Sequence, residues 1–511
     1  MLSLLYACGG CFLLRVAYKT IWNLWVSPLA RSGVPGPAYA AISNLWYEWV
    51  GVRFVKAHKV HALFESYGPI VRVGPNRIVV NDPDTVHEIH RSHAYVKGEW
   101  YENKTFAGTQ PNSFSTRDPA MHSRFRRWNG PAFRGDNLRS ASLAIEGELK
   151  DLELRIQRDC AGGAYVDTVK LFNQLSFDMV GLTVLGLSPN QIVTGEEHPL
   201  IRASITSNLA LADWIIDKVM LDFLPRPVHA LLRALPIRRL QEVVNGDRRV
   251  CEVRILYTLK SSLSTSRAVC RRAASYKTCR DPATGEPPPR EVVVGDIAFM
   301  LLAGTETTAT SLMFINYEIA SREGLWNTIR AELATVPRDH RADLDTLRAM
   351  PFINAVIKEV MRLRAPGSPL HERVVPRSGA MLCGYFIPGG TAVGTQAFSV
   401  HRNETIYPDA LKVRPERWVR KAIEPGCWEE RDDIPQAMHS AWHPYGQGPR
   451  ACLGRPLAEL ELLLVISTIV NNFRMELHES VTTESMRTID SGVLKNASGH
   501  CLINFVHDPL D

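Results

Sequence analysis

The sequence predicts a mainly α protein, one large helical domain with a small β region behind a short apolar segment. Three observations predict it. A long apolar stretch from Val292 to Ala320 has the length and composition of a buried core helix. Helical patterning dominates from residue 83 to about 260, with few strand-like runs. Stretches that alternate as strands are short and lie toward the two ends. Length alone would allow roughly two to four domains. The absence of an internal repeat, and the helical middle between small β pieces, favour one domain over residues 31–511.

The first element is apolar. Leu2–Leu14 carries no charge, Arg15 and Lys19 follow, and Thr20–Ala30 is again mostly apolar. A bilayer span needs about 20 apolar residues, so the first run alone is short. Arg15 and Lys19 are four apart, share a helix face and can snorkel to a headgroup layer. No positive charge precedes the run, which argues against a signal peptide. The charges behind it put the remainder in the cytosol. Residues 1–30 are therefore expected to anchor the chain to a membrane, with Val34-Pro-Gly-Pro37 as a hinge.

Ile70–Val73 and Arg77–Asn81 flank Gly74-Pro-Asn76 as a hairpin. Asp281–Arg290, with three consecutive prolines, reads as a surface loop before the long apolar helix. Helices are expected around Leu325–Thr335 and Pro351–Arg364, an alternating strand over Gly384–Val400, and an irregular stretch over Asn403–Tyr445. A helix over Ala451–Asn472 and a short β tail complete the chain.

Composition excludes several classes. The chain is 45% hydrophobic and 22% charged, ordinary for a globular protein. A net charge of +6 without a long basic run gives no nucleic-acid footprint. The ten cysteines are scattered, with no zinc-site spacing and too low a density for a disulfide scaffold. Three Asn-x-Ser/Thr sequons, at Asn103, Asn403 and Asn496, are chance matches in a cytosolic domain.

One cysteine stands apart, in Tyr445-Gly-Gln-Gly-Pro-Arg-Ala-Cys452-Leu-Gly454. A thiolate needs its pKa lowered by a metal, a helix N-terminus or nearby cations. A helix is expected just after Cys452, and Arg450 lies two residues before it. Glycines let the backbone approach a flat partner closely. The segment therefore marks a reactive or ligating cysteine. A lone Cys cannot hold zinc or an iron–sulfur cluster, whereas one thiolate suffices for haem.

This segment resembles the haem-binding pattern of the cytochrome P450 family, Phe-x-x-Gly-x-Arg-x-Cys-x-Gly. It matches at Gly448, Arg450, Cys452 and Gly454, with Tyr445 in place of the usual Phe. The swap adds a hydroxyl near the sulfur, where a hydrogen bond would alter the iron's potential. Further motifs follow the family's order. Ala303-Gly-Thr-Glu-Thr-Thr308 lies inside the long helix, where Gly304 costs about 1 kcal/mol relative to Ala and wants a reason. Gly304 and Thr307 share a face, and the resemblance makes this the oxygen-binding groove. Thr307 would position dioxygen and its proton, and Glu306 would begin the relay. Glu359-Val-Met-Arg362 and Pro415-Glu-Arg417-Trp418 resemble the family's Glu–Arg–Arg brace, a structural role. For the two haem propionates the resemblance offers His122 and Arg126, Arg373 in His371-Glu-Arg373, and Arg450, with Lys97 a weaker addition.

The resemblance spans essentially the whole chain from the hinge. It implies the family's helical fold, haem as cofactor, and a monooxygenase drawing electrons from NADPH through a flavin-containing reductase. The anchored layout is similar to microsomal members, which implies the endoplasmic reticulum membrane with the catalytic domain facing the cytosol. Leu363–Arg373 resembles fungal members that decorate secondary metabolites, and a polyketide or terpenoid would fit. Lining is expected from Gly98–Asp118, Ser204–Asp217, Phe299, Leu302, Ser368–Leu370 and Gly492–Leu494, mostly apolar or small, so the substrate is read as hydrophobic. The alternatives are a haem-thiolate isomerase or dehydratase and a non-catalytic haem-binding protein. The presence of both Glu306 and Thr307 favours the monooxygenase.

Overall fold

The structure is a computed structural model that describes residues 2–101, 110–198, 285–337, 340–341, 343–423 and 427–510. The expected lining at Ser204–Asp217, the helical patterning from 199 to 260 and part of the Gly98–Asp118 loop lie outside the described residues.

The N-terminal apolar run forms one helix, Leu2–Ile21, which continues through Arg15 and Lys19. Leu13, Leu14, Tyr18, Trp22 and Trp25 are exposed. The chain turns at Ser27, whose hydroxyl accepts from the Ala30 amide and caps a short helix, and the hinge prolines follow.

The long apolar stretch is a single helix, Arg290–Ala320, here called the central helix. Among the described helices its Glu291–Ala320 portion is the one apolar and long enough to cross a membrane, yet it runs through the protein core. It packs along the buried helix Thr168–Leu185. The family resemblance gives Gly304 to an oxygen-binding groove, and the packing supplies a reason of its own. A Cβ there would meet Val180 Cγ2 at 2.5 Å, so the glycine lets the two helices approach. The direction that a side chain at this position would take is filled by Val180.

The hairpin forms as expected, Ile70–Gly74 against Arg77–Val80. It is the edge of a five-stranded sheet that continues through Ala392–Thr395, His371–Val374 and Val96–Lys97. Gly384–Val400 is not one strand. It divides into Tyr385–Ile387, Ala392–Thr395 and a helical turn at Ala397–Val400. Helices Glu323–Ala334 and Pro351–Arg364 lie where the periodicity puts them. The last helix begins at Arg455, not at Ala451, with Pro456 in its first turn. Cys452 therefore sits between the 3-10 turn Gly448–Arg450 and the helix that begins at Arg455.

Candidate cofactor site

The cysteine loop is held by backbone contacts. The Cys452 amide donates to the Tyr445 carbonyl at 2.8 Å, and Ala451 N–H donates to Gly448 O. Gly448 has φ +68, and a Cβ there would lie 2.1 Å from the His90 carbonyl oxygen, so only glycine fits. Tyr445 contributes its carbonyl. No hydrogen bond from its hydroxyl to the sulfur is found among the described residues, so the effect expected of the Phe-to-Tyr swap has no bond to carry it.

Cys452 has accessible surface although protein surrounds it. Burial pushes its thiol up. The Gly454 and Arg455 amides, with the charges of Arg126 and Arg455, act in the opposite direction. The sequence expectation of a thiol lowered by Arg450 is thus corrected. Arg126 and Arg455 are the cations at the sulfur, and Arg450 Nη1 instead donates to Thr116 O at 2.9 Å. Burial outweighs these groups, so full ionisation calls for a metal ion at the sulfur.

The sheet and the helix Pro119–Asn129 bring the remaining candidates together. Strand pairing sets Lys97 directly opposite Arg373. Like charges in that register repel, and both side chains are buried. Burial, and after it the charges of Arg373 and Arg450, depress Lys97. Burial with Arg373 brings Arg450 down to about 10. His122 falls to about 3 through burial, Arg450, Lys97 and Arg126. Arg126 Nη1 donates to Ala451 O at 2.9 Å, which joins this cluster to the cysteine loop. At about 3 His122 is a neutral imidazole at pH 7, and among the described residues no carboxylate forms an ion pair with Lys97, Arg126, Arg373 or Arg450; Glu372 is engaged by Arg77 at 2.9 Å. Buried, unneutralised cations are costly. A planar group with two carboxylates and a metal that takes one thiolate would relieve both the cluster and Cys452. The donor set fits haem.

On the central helix the hydroxyls of Thr305 and Thr307 donate back to Leu301 O and Ala303 O, each at 2.6 Å. The Thr307 oxygen keeps its acceptor capacity. Glu306 forms an ion pair with Lys495 of the strand Leu494–Asn496. Thr308 donates at 3.1 Å to Glu461, on the helix that starts behind Cys452. Burial raises the Glu461 carboxyl to about 8, so it is mostly neutral at pH 7.

The brace is as the sequence suggests and reaches further. Glu359 accepts from Arg362 at 2.8 and 3.0 Å, from Arg417 at 3.0 Å and from the Trp418 indole at 2.9 Å. His401, which sequence reasoning missed, links it to the cysteine loop. Its Nε2 accepts the His443 amide at 3.0 Å, so Nδ1 carries the proton donated to Arg362 O at 2.8 Å. No sequence motif marks His401, Lys495 or Glu461. Each is defined by a partner distant in sequence.

Residues 41–502 match the family model described as Cytochrome P450. Curated relatives agree along nearly their whole length. The chain is 28% identical to a cytochrome P450 monooxygenase, aclL, of Aspergillus oryzae, covering 91% of each protein. It is 26% identical to averantin hydroxylase of Aspergillus parasiticus, over 89% of this chain and 88% of that one. It is also 26% identical to pisatin demethylase of Fusarium vanettenii, over 92% and 88%. Among solved structures, a cytochrome P450 heme domain superposes with a TM-score of 0.74 at 17% identity, covering 93% of this chain and 98% of that one, a likeness of fold.

Proposed function

Because this chain belongs to the cytochrome P450 family and is a haem monooxygenase, we propose that it inserts one atom of O2 into a hydrophobic fungal secondary metabolite, a polyketide or terpenoid, with electrons from NADPH delivered by a flavoprotein reductase. The observation that carries the reading is the set of cations around the cysteine loop, with Arg126 on Ala451 O, together with the link from Thr308 of the central helix to Glu461 on the helix that follows Cys452. Bound haem would supply the iron that activates dioxygen. Cys452 would hold its iron through the thiolate, and Arg126, His122, Arg373 and Arg450 would take its propionates. Phe114 stacks on Phe299 at 5.2 Å, a half-buried flat apolar wall that suits a hydrophobic substrate. Arg126, Arg127 and Arg134 line a recess of about 340 Å³ beside the cysteine loop, a cationic surface for an acidic reductase.

Thr307 and Glu306 are proposed to deliver protons. The Thr307 hydroxyl, now on Ala303 O, would turn to donate its proton, and Glu306 would return one to it only after leaving Lys495 and taking up a proton from solvent. General-acid help of this kind is worth roughly 100-fold or more. Thr307→Ala is expected to retain haem and to go on consuming NADPH in the presence of a reductase. Product per NADPH should fall by that order while peroxide rises. An unchanged ratio would sink this role and reopen the isomerase reading, which consumes no NADPH.

Residues 1–30 are proposed to anchor the catalytic domain, residues 31–511, on the cytosolic face of the endoplasmic reticulum. Arg15 and Lys19 interrupt the helix Leu2–Ile21, so it is proposed to hold the chain at the membrane interface, which the exposed Leu13, Leu14, Trp22 and Trp25 suit. Deleting residues 1–30 should move part of the protein from the membrane to the soluble fraction, the region around Ser204–Asp217 being the expected second contact. Unchanged fractionation would assign the anchor elsewhere.

A further inference from the structure

Asp296 lies on the central helix, fully buried, two turns before Gly304 and outside every motif. Both carboxylate oxygens are engaged. Oδ1 accepts the Ser113 amide at 2.7 Å, and Oδ2 accepts Asn129 Nδ2 at 2.6 Å. These partners belong to two different parts of the cation cluster. Asn129 ends the helix that carries His122 and Arg126. Ser113 lies in segment 112–117, whose carbonyls hold the other cations. Phe114 O accepts Lys97 Nζ, and Thr116 O accepts Arg450 Nη1 at 2.9 Å.

The segment is internally tight. Asn112 Oδ1 accepts the Phe114 and Ser115 amides, each at 2.9 Å, and Asn112 O accepts the Thr116 amide at 3.0 Å. Arg117 Nε returns to Lys97 O at 2.9 Å. Segment 112–117 therefore moves as a unit, and Asp296 ties that unit to the central helix. Charge-assisted bonds from a buried carboxylate are the strong kind, and a group that orients ligating side chains governs their affinity.

We infer that Asp296 is a positioning residue for cofactor retention. It latches segment 112–117 and the Asn129 end of the neighbouring helix, and so fixes where Arg450, Lys97 and Arg126 present their charge. The inference rests on the reading that these cations hold the haem propionates.

The test compares full-length holoenzymes Asp296→Leu, Arg450→Ala, Asn316→Ala and the exchange Asp296→Asn/Asn129→Asp. Haem transfer to an apo-globin acceptor and the midpoint potential are measured for each. Asn316 is a buried amide further along the same helix that bonds only locally, to Leu312 O, and controls for a buried polar deletion. Asp296→Leu should release haem roughly 10-fold faster or more, shift the potential, and keep the thiolate-type spectrum. The exchange, which restores a carboxylate–amide pair between the two positions, should return release to within about twofold of the parent. Asp296→Leu releasing haem no faster than Asn316→Ala overturns the latch. If Arg450→Ala releases haem fast in that case, the propionate reading stands and only the latch fails. If Arg450→Ala has no effect, the propionate reading fails and the latch with it.

Discussion

Cys452→Ser is expected to remove the thiolate-type Soret band of the reduced, carbon-monoxide-bound protein and to reduce monooxygenase activity to background. The contacts that shape the loop are backbone ones, from Cys452 N to Tyr445 O and from Gly448 to His90, and a serine leaves them in place. Arg126, Arg373, Arg450 and Lys97 are untouched. The variant should therefore fold and keep part of its haem, which makes the spectrum the informative readout. A serine hydroxyl ionises far less readily than a thiol. The Gly454 and Arg455 amides with Arg126, which do not overcome the burial of a thiol, will not ionise an alcohol. The thiolate's electron release to iron, which favours O–O cleavage, is lost with it. Persistence of the thiolate-type band in Cys452→Ser would falsify the assignment, since Cys383 and Cys427 lie in other segments.

Residues whose chemistry is local were legible. Cys452 announces itself by its glycines, and Glu359 with Arg362 by i, i+3 spacing on one helix. A helix is expected around Pro351–Arg364 and forms there, with proline in its first turn and Ala365-Pro366 after its end. Residues whose meaning depends on register were not legible. Nothing near Lys97 says that it will face Arg373, because that follows from a strand pairing across more than 270 residues of chain. Arg450 was given the sulfur on sequence proximity, yet its side chain goes to Thr116 while Arg126, from a distant helix, lies beside the thiol. Gly304 was read as ligand space because a helix-interior glycine needs a reason. The packing supplies one in Val180, on a helix that sequence alone does not set against it. Asp296 and Glu461 carry no signal in the sequence, and only packing, which buries both, brings them out.

Glu359→Ala is expected to be the most destabilising single change in the fold. Glu359 and Arg362 have no exposed side-chain surface, and Arg417 has almost none. Removing the carboxylate leaves two guanidinium groups buried with only carbonyl acceptors, at His401, Lys412 and Asp409. Breaking one buried pair costs about 3–5 kcal/mol. The Trp418 indole and the Arg414 amide also lose their acceptor, each worth roughly 1–3 kcal/mol when buried. The sum approaches the whole stability of a typical domain, about 5–15 kcal/mol. The damage should not stay local. Arg362 holds His401, and His401 holds the amide of His443, two residues before Tyr445. Glu359→Ala should therefore lose haem and the thiolate-type spectrum at denaturant concentrations where the parent is intact, or accumulate as haem-free protein. Arg474→Ala removes an exposed pair with Glu476 and should leave the denaturation midpoint nearly unchanged. Were the two variants to unfold together, Glu359 would not be the brace of the cysteine loop, and the chain of contacts through His401 would carry no energy.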